Sequence, residues 1–285
     1  HPGAHAFDLL KLYQEREKQK GYKYSPDTPW QREFEENFEY DLTDDQDRAV
    51  REIKDDMEKG RVMDRLVCGD VGYGKTEVSF RAAFKTVMDN KQVAILAPTT
   101  ILAKQHFNTL NARLQGFGIK TVLLSRLQSD KEIDRSLKEI KDGVVSIVVG
   151  THRILSKDVA FHDLGLLILD EEQRFGVEHK EKLKTVKKDV NVLTLTATPI
   201  PRTLNLALSG VRDISLLETP PKNRLPVQNY VVEYSDGLLK DAVMREVSRG
   251  GQVFILYNYV ETIEAFAEKV RKLVDGKARV MVAHG

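Results

Sequence analysis

Short apolar runs rich in valine, isoleucine and leucine recur through the middle of the chain, at residues 92–97, 120–124, 146–149, 164–169 and 192–195, with an earlier one at 66–68. Most are apolar at consecutive positions, as strands covered on both faces require. Segments with helical spacing separate most of them, at 77–88, 100–114, 131–141 and 180–187. This alternation predicts a doubly wound α/β domain around a parallel sheet, and such sheets bind ligands at the carboxyl ends of their strands. The chemistry is therefore expected in the loops that follow each run.

Both flanks of this core carry their own pattern. Residues 7–20 set Phe7, Leu9, Leu10, Leu12 and Tyr13 on a rough helical stripe that stops at Gly21, which predicts a lead-in helix. Residues 22–41 mix Pro26, Pro29, Trp30 and Phe34 with many acids, a linker and short helix packed on the flank of the domain. Acidic surroundings repel phosphate, so Tyr22 and Trp30 are expected to pack rather than to stack on nucleic acid. Thr43 is a good N-cap for a helix through Ala49, Ile53 and Met57. Residues 219–226, with Pro220, Pro221 and Pro226, form the clearest linker. Beyond it the rhythm restarts as strand 227–234, helix 237–248, strand 252–257, helix 261–273 and strand 279–283. The expected organisation is thus a lead-in over 1–40, an α/β domain over 41–218, a linker over 219–226 and an incomplete second α/β unit over 227–285.

Charge and composition narrow the function classes. With 44 basic and 43 acidic residues the formal net charge is +1, so a nucleic-acid site would have to be a local groove rather than a basic surface. A hydrophobic fraction of 41% supports an ordinary core. Cys68 is the one cysteine, which excludes an intramolecular disulfide and a thiolate metal cluster, and its place in an apolar run predicts a small buried core residue. No run reaches membrane-spanning length and no signal-peptide pattern opens the chain, so a cytoplasmic location is expected. An opening of His1-Pro2-Gly3 without methionine reads as a processed or cut chain.

The decisive motif follows the first apolar run. Gly69, Asp70, Val71, Gly72, Tyr73, Gly74, Lys75 and Thr76 close a strand and open a helix. Glycines in that setting let backbone N–H groups curl around an anion at a helix N-terminus, where the dipole already favours negative charge. Lys75 is expected to reach the β- and γ-phosphates of a nucleotide and the Thr76 hydroxyl to hold Mg²⁺. The run at 164–169 delivers Asp170, Glu171, Glu172 and Gln173 to its carboxyl end. In a chain with a phosphate loop this supplies a metal-side acid, Asp170, and a base, Glu171, to polarise water for attack on the γ-phosphate. Gln46, one turn into its helix, carries an amide that pairs bidentately with adenine N6 and N7. Pro98, Thr99 and Thr100 after one strand, and Gly150, Thr151, His152 and Arg153 after another, offer hydroxyls, N–H groups and helix starts to a phosphate backbone, and both stretches are also good capping sequences. Thr196 to Thr203, broken by Pro199 and Pro201, suits a connection between the nucleotide and a polynucleotide groove, with Thr196, Thr198 and Arg202 as its coupling residues.

Together these segments resemble superfamily 2 helicases and translocases: Gln46 their Q motif, 69–76 motif I, 98–100 motif Ia, 150–152 motif Ic, 170–173 motif II and 196–198 motif III. More narrowly, residues 63–78, 170–177 and 194–203 are similar to the bacterial transcription-repair coupling factors. The related fork-reversing recombination helicases share Arg174-Phe175-Gly176-Val177. The resemblance implies a RecA-like first lobe and the beginning of a second, clamping ATP and Mg²⁺ between them and walking on double-stranded DNA to push stalled RNA polymerase off its template. It implies a γ-phosphate bond from Gln173, where many relatives have histidine. Polymerase and excision-repair proteins would be met through regions absent from this chain. Motifs V and VI, with their charge-neutralising arginines, have no counterpart before Gly285, so weak hydrolysis by these residues alone is implied. The alternatives are a fork-reversing recombination helicase relative and a nucleotide-gated DNA-binding module without motor activity.

Overall fold

The computed structural model describes residues 20–125, 128–176, 183, 190–197, 212–222 and 227–284. The lead-in helix expected at 7–20 and the helix expected at 180–187 fall outside these residues but for Lys20 and Leu183, and so do Thr198 and Arg202. Two compact units divide the chain, residues 1–224 and 225–285.

In the first unit seven strands form one parallel sheet: β1 (Asp64–Gly69), β2 (Gln92–Leu96), β3 (Thr121–Leu124), β4 (Ile147–Gly150), β5 (Leu164–Asp170), β6 (Asn191–Thr196) and β7 (Asp213–Leu217), in the order β3-β4-β2-β5-β6-β1-β7. Continuous apolar runs are needed because strands β2, β4, β5 and β6 each feed two cores. In β2, Val93 and Ile95 join the cluster on one face while Ala94 and Leu96 join that on the other. Full burial of a valine, leucine or isoleucine side chain stabilises by about 1.5–3 kcal/mol, which makes the sheet the main source of cohesion.

Helices α1 (Pro29–Glu36), α2 (Asp44–Glu58), α3 (Lys75–Met88), α4 (Thr100–Arg113) and α5 (Asp130–Lys141) accompany the sheet. Thr43 caps α2 as expected, accepting from the Gln46 N–H at 3.3 Å in a reciprocal capping box. The acidic flank does pack on the domain, through Phe34 and Tyr24 rather than Trp30, whose exposure is 56%. Phe34 stacks on Phe84 with centroids 4.3 Å apart, and the Arg113 guanidinium lies 4.3 Å over the Phe34 ring. Strand β7 has no clear signature in the sequence, because an edge strand carrying Asp213 and Ser215 lacks the apolar run that marks its neighbours.

The second unit holds α6 (Asp236–Ser248) and α7 (Ile263–Val274), both near their expected bounds. They pack through Val243, Val270 and Val274, joined by Leu239 and Phe266. The strands expected at 227–234, 252–257 and 279–283 are a correction: the backbone there is assigned to no sheet. A buried parallel strand needs neighbours to pair with and cover on both faces, whereas Val231, Phe254 and Met281 of these runs are exposed. No helix among the described residues is long and apolar enough to cross a membrane.

Candidate nucleotide site and adjoining groove

The phosphate-loop residues connect β1 to α3. Gly72 and Gly74 sit at φ 81° and 78°, a left-handed region that side chains rarely adopt. A Cβ on Gly74 would lie 2.3 Å from Gln46 Nε2, so a side chain there would displace the Gln46 amide from its place against the loop. The Gln46 amide uses one donor and one acceptor locally: Nε2 donates to the Tyr73 carbonyl at 2.9 Å, and Oε1 accepts from the Thr43 N–H at 2.9 Å. One N–H and one lone pair remain. The Asp70 carboxylate accepts from the Val71 N–H at 2.7 Å, and Val71 is exposed at the apex. Thr76 lies in the first turn of α3, whose cap, Gly74, offers no side-chain acceptor to the N–H groups there. Cys68 is buried before the loop, and burial pushes its thiol up to about 11, which suits the expected core role.

Lys75 donates to the carbonyls of Gly69 at 2.6 Å and Asp70 at 2.9 Å. Burial holds its pKa below the ordinary lysine value, and the charges of Glu171, Asp170 and Asp70 pull the other way. The loop lysine and the acids at the end of β5 thus share one electrostatic neighbourhood, although β6 separates β1 from β5 in the sheet.

Asp170 ends β5 beside Leu195 of β6. Its Oδ2 lies 2.8 Å from His106 Nε2, a partnership that no spacing in the sequence announces. Glu171 adopts φ 51°, ψ 51°, a left-handed conformation that costs a non-glycine residue about 1–2 kcal/mol. Two contacts with the end of β6 hold it there. Its N–H donates to the Leu195 carbonyl at 3.0 Å, and its Oε1 accepts from the Ala197 N–H at 3.0 Å. Its Oε2 accepts from Gln173 Nε2, so Gln173 is turned toward the neighbouring acid. Glu172 faces Arg212, whose Nη2 is 2.7 Å from Asp64. Thr196, buried, ends β6 next to this cluster.

The loops after β2 and β4 meet around one cavity of about 560 Å³, lined by Pro98, Thr99 and Thr100 from one and Thr151, His152 and Arg153 from the other. Ile101, Ser125, Gln128, Asp130 and Ile133 complete its wall, and none of them carries a recognisable motif. Gly150 does not line it. A Cβ there would lie 2.3 Å from the Leu124 carbonyl, so this glycine lets β4 end close against β3. Thr99 caps α4, accepting from the Leu102 N–H at 3.2 Å, which leaves the capping and the groove roles side by side in one residue. Arg153 makes a two-pronged pair with Asp158 at 2.7 and 2.6 Å.

Residues 43–207, more than half of the chain, match the model of the DEAD/DEAH box helicase family. The chain belongs to that family. This helicase-family chain is 60% identical over 280 residues to the transcription-repair-coupling factor of Bacillus subtilis (strain 168), covering 98% of this chain and 24% of that protein. It is 58% identical, with the same coverage, to the transcription-repair-coupling factor of Staphylococcus aureus (strain NCTC 8325 / PS 47). The chain therefore spans about a quarter of the length of these curated relatives. Among solved structures, RecG bound to a three-way DNA junction matches with a TM-score of 0.80 at 33% identity, over 94% of this chain and 36% of that one. The DUF1998 helicase MrfA bound to DNA matches with a TM-score of 0.61 at 16% identity, over 90% of this chain and 41% of that one, a likeness of fold alone. The RecA-like helicase lobe expected from the sequence is the fold of this chain.

Proposed function

We propose that this chain is the ATP-binding part of a double-stranded DNA translocase that displaces stalled RNA polymerase and couples transcription to excision repair. The observation that carries the reading is the left-handed glycine turn that joins β1 to α3, in the same sheet whose strand β5 ends on Asp170. Residues 69–76 would cradle the phosphates, with Lys75 exchanging loop carbonyls for phosphate oxygens. Thr76 and Asp170 would hold Mg²⁺, and Glu171, pinned by the Ala197 N–H, would orient water. The residues fit the group. The loop turns on left-handed glycines that keep side chains off its inner surface. A hydroxyl and a carboxylate are oxygen donors of the kind Mg²⁺ takes alongside substrate phosphates. An ion held by Thr76 and Asp170 would supply positive charge to offset that of the nucleotide phosphates. The remaining N–H and lone pair of Gln46 would serve adenine, and Gln173 would answer the γ-phosphate through Glu171.

The groove of Pro98, Thr99, Thr100, Thr151 and His152 would hold the DNA backbone, with Arg153 shared between DNA and Asp158. Gly150 would shape that loop, and Thr196, Thr198 and Arg202 would couple the two sites. In this reading residues 41–218 are the first lobe, 219–226 the connection and 227–285 the start of a second lobe. RNA polymerase and repair proteins would bind regions outside this chain, in the cytoplasm. Identity of 60% to a coupling factor, against 33% to RecG, supports this over a fork-reversing role.

Anisotropy of a fluorescent ATP analogue tests the reading. Lys75→Ala should weaken binding about 10- to 100-fold, the range for losing a charged hydrogen bond. It should also abolish ATP-driven movement of the longer protein on duplex DNA. Equal affinity of both chains for the analogue would reject the site.

A further inference from the structure

We propose that His106 is a positioning residue that ties the groove to the metal-side acid. The inference rests on the nucleotide reading of Asp170 and adds to it a route by which DNA contact reaches that carboxylate. His106 Nε2 and Asp170 Oδ2 are 2.8 Å apart, with side-chain exposures of 12% and 14%. An ionised carboxylate can only accept, so Nε2 carries the hydrogen, and the bond fixes Oδ2 while leaving Oδ1 outside it. Carboxylates that bind metals are commonly oriented by such outer partners, and loss of one costs roughly 10- to 100-fold in metal affinity or activity.

What makes this bond more than local support is the element that carries it. Helix α4 starts at the groove, where Thr99 caps it and Thr100 lines the cavity. His106 follows seven positions after Thr99, about 10 Å along the axis. Ala103 and Leu110, both fully buried, seat the helix on the sheet. At the far end Arg113 binds Glu77 at 2.9 and 3.1 Å, and Glu77 lies in the first turn of α3 directly after the phosphate loop. One helix therefore touches the groove, the acid at the end of β5 and the helix of the phosphate loop. A shift of its first turn on DNA alters the His106–Asp170 bond. By linkage, ion binding at Asp170 alters the hold on DNA by the same factor.

The test titrates MgCl₂ against binding of a fluorescent ATP analogue, with and without a short blunt duplex, for the wild-type chain, His106→Phe and His106→Gln. Duplex affinity without nucleotide is measured alongside. Wild type should show a Mg²⁺ midpoint that moves when duplex is added. His106→Phe, similar in volume but without a donor, should raise the midpoint about tenfold and lose the duplex effect. It should hold duplex in the absence of nucleotide as wild type does. His106→Gln, which keeps an N–H donor, should recover part of both. A wild-type midpoint in the phenylalanine variant overturns the positioning role, and a raised midpoint with the duplex effect intact overturns the link to the groove. If His106→Phe does not fold, a glutamine variant indistinguishable from alanine at this position overturns the need for a donor. Absence of Mg²⁺-dependent nucleotide binding in wild type would remove the nucleotide reading itself, a failure distinct from these.

Discussion

Two pentapeptides differ at one position and meet opposite fates. Residues 92–96 read Gln-Val-Ala-Ile-Leu and form β2, central in the sheet and buried throughout. Residues 252–256 read Gln-Val-Phe-Ile-Leu and belong to no sheet, with Val253 and Ile255 near 40% exposed and Phe254 and Leu256 at 98% and 93%. Both runs favour extended backbone, so local preference does not separate them. In the first unit β4 and β5 pair with the run and both faces are covered. In the second, the run pairs with no strand, and none of its residues joins the cluster of Val243, Val270 and Val274. Strand character is supplied by neighbours, and the hydrophobic pattern records only that neighbours are wanted.

The sharpest way to break that contrast is to truncate the same residue in each run. Ile95→Ala removes a side chain 2% exposed and should cost about 2–5 kcal/mol. Ile255→Ala, at 40% exposure, should cost less than about 1 kcal/mol. Urea unfolding followed by Trp30, the single tryptophan and a residue of α1, reads the first unit. Amide exchange over 236–274 reads the second. Equal costs would mean that the second run is covered after all.

A middle-sized effect marks where the first unit ends. The Asp45 carboxylate accepts from the N–H groups of Glu218 at 3.0 Å and Thr219 at 2.8 Å, and from the Thr219 hydroxyl at 2.7 Å. Burial pushes its pKa up, but these bonds and Arg48 outweigh burial and leave it below the ordinary value. A depressed folded-state value stabilises above the unfolded value, near 4, and the benefit is lost as pH falls through the lower folded value. Asp45→Asn should therefore cost about 1–3 kcal/mol at neutral pH, with a penalty that shrinks below about pH 4. Urea midpoints at several pH values measure this, and a penalty independent of pH would show that the carboxylate charge is irrelevant.

The same contrast explains what the sequence could convey. Strands β1 to β6, the glycine turn at 69–76 and the acids after β5 were legible because each is a local pattern with a physical cause: two-sided burial, left-handed glycines, an apolar run ending in carboxylates. Strand β7 was not, since its identity comes from pairing with β1 through a half-polar edge. His106 was hidden for a related reason, because 64 residues separate it from Asp170 and only the fold brings the two together. The left-handed turn at Glu171 likewise depends on Leu195 and Ala197, contacts without a signature of their own. Gly150 was legible as a special residue, and the nearby Leu124 carbonyl, which only the fold brings there, leaves no room for a side chain.

The smallest expected effect probes the one position at which the two pentapeptides differ. Phe254→Ser alters a residue 98% exposed and should change stability by no more than about 0.5 kcal/mol, the usual range for a surface position. Ala94→Ser, its counterpart in β2, puts a hydroxyl into a fully buried site and should cost about 1–3 kcal/mol, although the change in volume is far smaller. The pair inverts the ranking expected from side-chain size, so it isolates burial from bulk. Urea midpoints for Ala94→Ser and amide exchange over 236–274 for Phe254→Ser decide it. A loss of protection in α6 and α7 with Phe254→Ser would show that the phenylalanine ring is packed, and that the second run has found the cover its pattern asks for.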